Sequence, residues 1–296
     1  MKLDRFIEDN FLVDDAETSA LVPFRLRKVQ RKYYDKLKER YNEGLNFKGL
    51  REIILKARKE GFTSLVLAIF AALMILDVNP VRFLEISYKE ESTKQHFKRI
   101  HRYFMSYFGK KFGLHPVEDE AKLKKLVYKS FNENKEIELL HNGASFYVGT
   151  ASSKTAERGG TVQGILFTEA AHFPDTENMT AAEIVEGSSN MIAVGSGLIF
   201  LETTANGNNW FKDFWDMAKK RLVTHWPSFF GWKEMYTQDE FDLICLGFKD
   251  KRLIPQEFPE NDMEAFLASG HSYFDKFALG QYAKLIKEPI KQYLVY

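Results

Sequence analysis

The 296-residue sequence is 45% hydrophobic and 28% charged, enough apolar content for a sizeable core in one large domain or two small ones. Its net charge of +1 is below what is usual for a protein that grips nucleic acid along a whole face, so any such contact is expected to be local or shared between subunits. The lone cysteine, Cys245, excludes a disulfide framework and a Cys-based zinc site, and the longest strongly apolar run, residues 65–76, is too short to cross a bilayer.

The chain starts MKLDRFIEDNF, acidic and amphipathic and unlike a signal peptide. The first 45 residues read as a short helix, a loop and a long helix, with residues 30–41 dense in Lys, Arg and Tyr. Residues 52–55 are a short apolar run that suits a buried strand, 57–61 form a polar loop, and 63–77 carry a helical apolar period. Strand and helix signals then alternate. Residues 81–87 read as a strand and 89–108 as an amphipathic helix. Residues 136–141 and 145–150 flank Asn142-Gly143, a type I′ hairpin signal. Strands are predicted at 162–168 and 198–203, with helices at 181–186 and 209–221. Buried strands separated by helices imply a largely parallel sheet wrapped by helices. After residue 226 the pattern weakens, Pro255 and Pro259 interrupt it, and 263–267 and 274–287 read as helices. The 26 Phe, 13 Tyr and 4 Trp are read as core packing.

Three polar turns follow three of the apolar strands. The first is Lys56-Ala57-Arg58-Lys59-Glu60-Gly61-Phe62-Thr63-Ser64, between a strand and a helix. There, backbone N–H groups and a helix N-terminus converge on an anion. Against the phosphate-loop pattern G-x-x-x-x-G-K-[ST], Gly61 and Thr63 fit, Phe62 replaces the lysine, and Lys56 stands at the first glycine. A phosphate still needs a cation, which Lys56, Arg58 or Lys59 could supply. The second turn ends the strand Gly164-Ile165-Leu166-Phe167 at Thr168-Glu169. P-loop ATPases place there an Asp for the magnesium shell and an acid that orients water. The third is Leu201-Glu202-Thr203-Thr204-Ala205-Asn206-Gly207, whose Thr and Asn could sense a γ-phosphate. Ligands of open α/β sheets bind along the strands' carboxyl ends, which is where all three turns fall.

Together, ILKARKEGFTS, GILFTEAAHF and LETTANG resemble the Walker A, Walker B and coupling motifs of bacteriophage large terminases. PFRLRKVQRKYYDKL resembles that family's adenine-recognition motif, with Gln30 as the reader of the base. Arg158-Gly159 resembles the position of an arginine finger offered to a neighbouring subunit, and EAFLASGHSYFD, residues 264–275, resembles the segment that joins ATPase to nuclease. The resemblance implies a P-loop NTPase fold of the ASCE or RecA-like kind, a mainly parallel sheet flanked by helices. It divides the chain into an N-terminal helical lid segment (1–45), an ATPase core (46–235) and a linker subdomain (236–296).

The roles it implies follow residue by residue. Lys56 balances phosphate charge, with Arg58 as runner-up. Residues Ala57, Lys59, Glu60, Gly61, Phe62 and Ser64 complete the nucleotide loop, and Thr63 ligates Mg2+. Glu169 polarises the attacking water and contributes to the metal shell. Thr204 and Asn206 couple the γ-phosphate state to movement, and Arg158 acts in trans. The implied cofactors are ATP and Mg2+. The implied partners are double-stranded DNA, a portal protein, a small terminase subunit and further copies of the chain in a ring. The implied setting is the host cytoplasm and, transiently, the procapsid, with no membrane. The pattern departs at Thr168, which replaces the Walker B aspartate. No RNase H-like nuclease precedes Tyr296, so the expectation is a motor without a nuclease. Two other readings compete. A helicase-like P-loop ATPase would need paired arginines in a second core, for which the tail has no room. A degenerate nucleotide-binding module without turnover would explain Phe62 and Thr168. His172 lacks a paired ligand and is read as structural. Lys94, His96, Lys98, Arg99, His101 and Arg102 form a basic run, read as a solvated helix face that could also track DNA.

Overall fold

The computed structural model describes residues 2–15, 18–43, 47–131, 135–151, 160–176, 179–193 and 195–268. Helix α1 (Leu3–Asn10), strands β1 (Leu12–Asp14) and β2 (Leu21–Pro23), and helix α2 (Lys28–Arg40) come first. Next are β3 (Arg51–Lys56), α3 (Phe62–Leu76), β4 (Arg82–Ser87) and α4 (Glu90–Phe112). They lead to α5 (Glu120–Val127), β5 (Tyr128–Phe131), β6 (Glu136–Leu139), β7 (Ser145–Thr150) and β8 (Gly164–Thr168). The rest comprises α6 (Ala181–Ser189), β9 (Leu198–Thr203), α7 (Trp210–Lys219), β10 (Trp226–Phe230), α8 (Gln238–Leu246), α9 (Ile254–Glu257) and α10 (Asp262–Ala268).

Eight strands form one sheet in the order β10-β3-β9-β8-β4-β7-β6-β5. The six from β10 to β7 run parallel, and β6 and β5 close one edge antiparallel. Every residue of β8 and β9 is buried, as a parallel sheet covered on both faces requires. The pleat sorts their side chains. Ile54, Leu166 and Phe200 join the apolar cluster of α3 and α4, while Ile53, Leu55, Ile165, Phe167 and Leu201 join that of α6 and α7. This is the predicted fold class, a mainly parallel sheet with helices on both faces.

Helix α3 is apolar all round and buried from Leu65 to Ile75, which fits a helix enclosed by core on every side. Gly164 lets it seat against the sheet, because a Cβ there would lie 2.6 Å from the Phe83 ring and 3.2 Å from that of Phe70. Those rings stack at 4.4 Å. Helix α2 is tied to β3 by a buried ion pair, Arg40 Nη1 to Glu52 Oε2 at 2.8 Å, with Ser228 Oγ donating to the same carboxylate. Burial pushes the Glu52 carboxyl up to about 7 even against Arg40. Among the described residues no helix is long and apolar enough to cross a membrane.

Three readings need correction. The β6–β7 connection is a hairpin, but not through a type I′ turn. Gly143 alone has positive φ (71°), and the Asn142 amide instead donates to Met74 O and Asp77 O at 2.8 Å each, pinning the loop to the end of α3. Within the weak tail pattern, residues 226–230 are a sheet strand, β10, where Pro227 is tolerated because the strand is at an edge. The first 45 residues also contain the β1–β2 pair besides their two helices. Asp239, Glu240 and Asp242 lie on α8, none of whose residues is buried. Arg158 and the predicted helix 274–287 lie outside the described residues.

Candidate active site

The carboxyl ends of β3, β9 and β8 are adjacent, so the three polar turns lie side by side. The loop from Ala57 to Gly61 links β3 to α3. Two of its residues are left-handed, Lys59 (φ 62°) and Gly61 (φ 80°), the kind of backbone that aims N–H groups into an anion-binding concavity. Glycine at 61 also meets a packing demand, because a Cβ there would sit 2.8 Å from Gln30 Nε2. The Gln30 amide donates to Gly61 O at 2.7 Å and accepts from Arg27 N at 2.9 Å, and Arg27 Nη1 donates to Lys59 O at 2.9 Å. The start of α2 thus clamps the loop. Gln30 lies against this loop, with both ends of its amide bonded to backbone.

Phe62, at the usual lysine position, cannot reach a phosphate. It is fully buried and packs on Phe230 at 4.8 Å and Tyr33 at 5.3 Å. The cation within the site is Lys56. Its pleat position puts its side chain on the α3 face, where Nζ lies 3.2 Å from Glu169 Oε1 and 3.1 Å from Glu202 Oε2. Burial opposes the ammonium form, but Glu169 and then Glu202 outweigh it and raise the Lys56 pKa. Arg58 points elsewhere, half-exposed and paired with Glu257. Of the three basic candidates, geometry brings in Lys56 alone.

Glu169 follows β8 with φ 55°, a strained conformation for a residue with a Cβ and one that recurs at functional sites. Its Oε2 accepts from Thr204 N at 3.3 Å and Thr204 Oγ1 at 3.2 Å, and about a third of its side chain (35%) is exposed. Burial would raise its carboxyl. Lys56, His172 and the Thr204 N–H together overcome that and hold it at about 2, so it is a carboxylate at any ordinary pH. His172 stands 3.2 Å from Thr204 Oγ1 and 3.8 Å from Glu169, a neighbour of the site rather than a bystander. Asn206 Nδ2 donates to Ala171 O at 3.1 Å, joining the β9 turn to the β8 turn.

Sequence reasoning missed Glu202. It is fully buried on β9, and its Oε1 accepts from both Thr63 Oγ1 and Thr168 Oγ1 at 2.5 Å. An acid one residue from the end of an apolar strand was the available signal. Glu60 was named only as part of the loop. Its side chain is fully buried with no hydrogen-bond partner, and burial, partly offset by Lys56 and reinforced by Glu234, pushes it up to about 9. Among the described residues no cluster of three His, Cys, Asp or Glu could hold a metal by itself. The donors present, the Thr63 hydroxyl and the carboxylates Glu202 and Glu169, suit Mg2+, which keeps waters and phosphate oxygens as its other ligands.

Beside this site a wide groove runs from Gln30 and Gly61 along α4, lined by Lys94, Lys98, Arg99, Arg102 and Lys124 among others. His96 is turned away from the basic run, its Nδ1 2.9 Å from the buried Glu85 Oε1.

No family model matches the sequence, and no curated protein matches it. Among solved structures, the large terminase of bacteriophage HK97 superposes with a TM-score of 0.57 at 16% identity, over 96% of this chain and 52% of that one. The large terminase of a thermophilic bacteriophage superposes with a TM-score of 0.53 at 13% identity, over 79% of this chain and 53% of that one. The same thermophilic phage protein in complex with ADP gives 0.52 at 14% identity, covering 78% and 52%. The chain spans about half the length of each of these terminases. At these identities the likeness is one of fold alone.

Proposed function

We propose that the chain hydrolyses ATP as the motor part of a phage DNA-packaging terminase. The observation that carries this reading is the convergence of Lys56, Thr63, Glu169 and Thr204 at the carboxyl ends of three adjacent strands, within a fold shared with terminase ATPase domains. The loop 57–64 and the N-terminus of α3 cradle the phosphates, and Lys56 balances their charge. Glu169, ionised and partly exposed, orients and polarises the attacking water. Mg2+, held through Thr63, supplies charge neutralisation at the phosphates when bound. Because Thr204 bonds Glu169 through both its N–H and its hydroxyl, a change at the γ-phosphate is passed to the β9 turn and, through Asn206, to the turn after β8. Gln30, fixed against Gly61, borders the place where the base would lie. Double-stranded DNA, a portal, a small subunit and a ring of copies at the procapsid complete the reading. The basic groove along α4 gives duplex phosphates a local positive surface on a chain of nearly zero net charge.

The test is phosphate release from ATP with Mg2+ by the parent and Glu169→Gln across a range of protein concentrations. The parent turns over and Glu169→Gln is slower by about a hundredfold to ten-thousandfold, as for loss of a positioned general base. Turnover that climbs with concentration supports Arg158 as a finger in trans. Binding of ATP with no hydrolysis by the parent would favour the silent nucleotide module, and no binding would refute the proposal.

A further inference from the structure

We infer that Glu202 supplies the buried carboxylate of the Mg2+ site, so that the metal-shell acid has moved from strand β8 to its neighbour β9. The inference rests on the ATP-binding reading above. In P-loop ATPases the residue before the water-orienting acid is an aspartate that shares the metal with the loop hydroxyl. Here that residue is Thr168, which cannot carry the charge. Thr168 and Glu202 are direct partners across the parallel ladder, so their side chains leave the sheet on the same face. Glu202 has one methylene more than an aspartate, and its Oε1 reaches both hydroxyls that define the expected position, Thr63 Oγ1 and Thr168 Oγ1, at 2.5 Å each.

The electrostatics point the same way. Glu202 is fully buried, and its Oε2 makes no hydrogen bond, although Lys56 Nζ stands at ion-pair distance, 3.1 Å. One lysine therefore serves two carboxylates, Glu202 and Glu169. A buried charge without full compensation is strongly unfavourable. If a nucleotide phosphate draws on Lys56, both acids lose their shared counter-ion, and a divalent cation between Thr63 and Glu202 restores the balance. Glu169 is then released toward water. Thr168 keeps a structural part, holding the Glu202 carboxylate beneath the loop.

The experiment titrates Mn2+, as a spectroscopic probe for Mg2+, into the ADP-bound full chain by electron paramagnetic resonance. A fluorescent ADP analogue measures nucleotide affinity with Mn2+ and with EDTA. The variants are Glu202→Gln and the swap Thr168→Asp/Glu202→Thr, which returns the acid to β8. Expected for Glu202→Gln is Mn2+ affinity lower by about tenfold to a hundredfold, with nucleotide affinity in EDTA little changed. The swap recovers most of the loss, and it keeps a carboxylate in the pocket should Glu202→Gln disturb β9. Unchanged Mn2+ affinity in folded Glu202→Gln overturns the inference and leaves the ATP reading standing. So does an equal loss of nucleotide affinity with and without metal, which would make Glu202 only a counter-ion of Lys56. A parent that binds no nucleotide overturns both.

Discussion

Replacing Gly61 by alanine tests how helix α2 and the loop between β3 and α3 are coupled. Two penalties are visible. The residue sits at φ 80°, where a Cβ costs about 1–2 kcal/mol. The new Cβ would also lie 2.8 Å from Gln30 Nε2. That nitrogen ends a flexible side chain and can retreat, but Gln30 is almost wholly buried, and retreat forfeits its bonds to Gly61 O and Arg27 N. At about 1 kcal/mol per bond, Gly61→Ala should lose about 3–4 kcal/mol in total. In a Gln30→Ala background the obstacle and both bonds are already gone, so the same change should lose only about 1–2 kcal/mol. The two substitutions therefore couple by about 2 kcal/mol, well beyond the error of a double-mutant cycle. Urea unfolding of the four proteins, followed by far-ultraviolet circular dichroism, measures this. Penalties that add to within about 0.5 kcal/mol would show that Gln30 does not brace the loop.

Two further outcomes are expected. Glu60 is buried at about 9 against an ordinary 4.5, so the folded state holds a proton that the unfolded state has released, and stability falls as pH rises from about 4.5 to about 9. Glu60→Met removes that slope, up to about 1.4 kcal/mol per pH unit, so its melting temperature should gain on the parent's steadily from pH 5 to pH 9, and a gap independent of pH would contradict this. Arg40→Met strands the fully buried Glu52 without its partner and should lose about 3–5 kcal/mol at pH 8. The Glu52 carboxyl is held at about 7 and moves higher without Arg40, so at pH 5 it is protonated in both proteins and the loss should be smaller by up to about 1.4 kcal/mol, the one pH unit between 7 and 8; equal losses at both pH values by chemical unfolding would rule that out.

The central sheet was legible because β3, β8 and β9 are buried on both faces, and such strands are continuous apolar runs. The turns after them were legible because polar residues can follow such strands only where the sheet ends. β10 was hidden, since Trp226-Pro227-Ser228-Phe229-Phe230 lies at an edge, has a single neighbour in the sheet and tolerates a proline. Asn142-Gly143 was misread because the asparagine's side chain bonds the end of α3, more than sixty positions earlier, and not its own turn. Lys56, Gly61, Thr63, Glu169 and Thr204 could be named from motif spacing. Glu202 could not, because its meaning depends on Thr168, 34 positions away and adjacent only through the ladder. Glu60 was likewise unreadable as a buried acid, since its neighbours Lys59 and Gly61 suggest a solvated loop.

The seating of β3 between β9 and β10 also sets an order of events as the chain is made. Its own neighbours in sequence, α3 and β4, emerge directly after it, and β4 can pair with β7 and β8 without it. β3 must wait for strands that follow it by roughly 150 residues, a long-range closure of the kind that slows folding. During that wait Ile53, Ile54 and Leu55 form an unpaired apolar edge next to an apolar helix, a state open to misassociation. The loop that follows β3 is therefore synthesised well before the strands that complete its setting, and is among the last parts to reach its final shape.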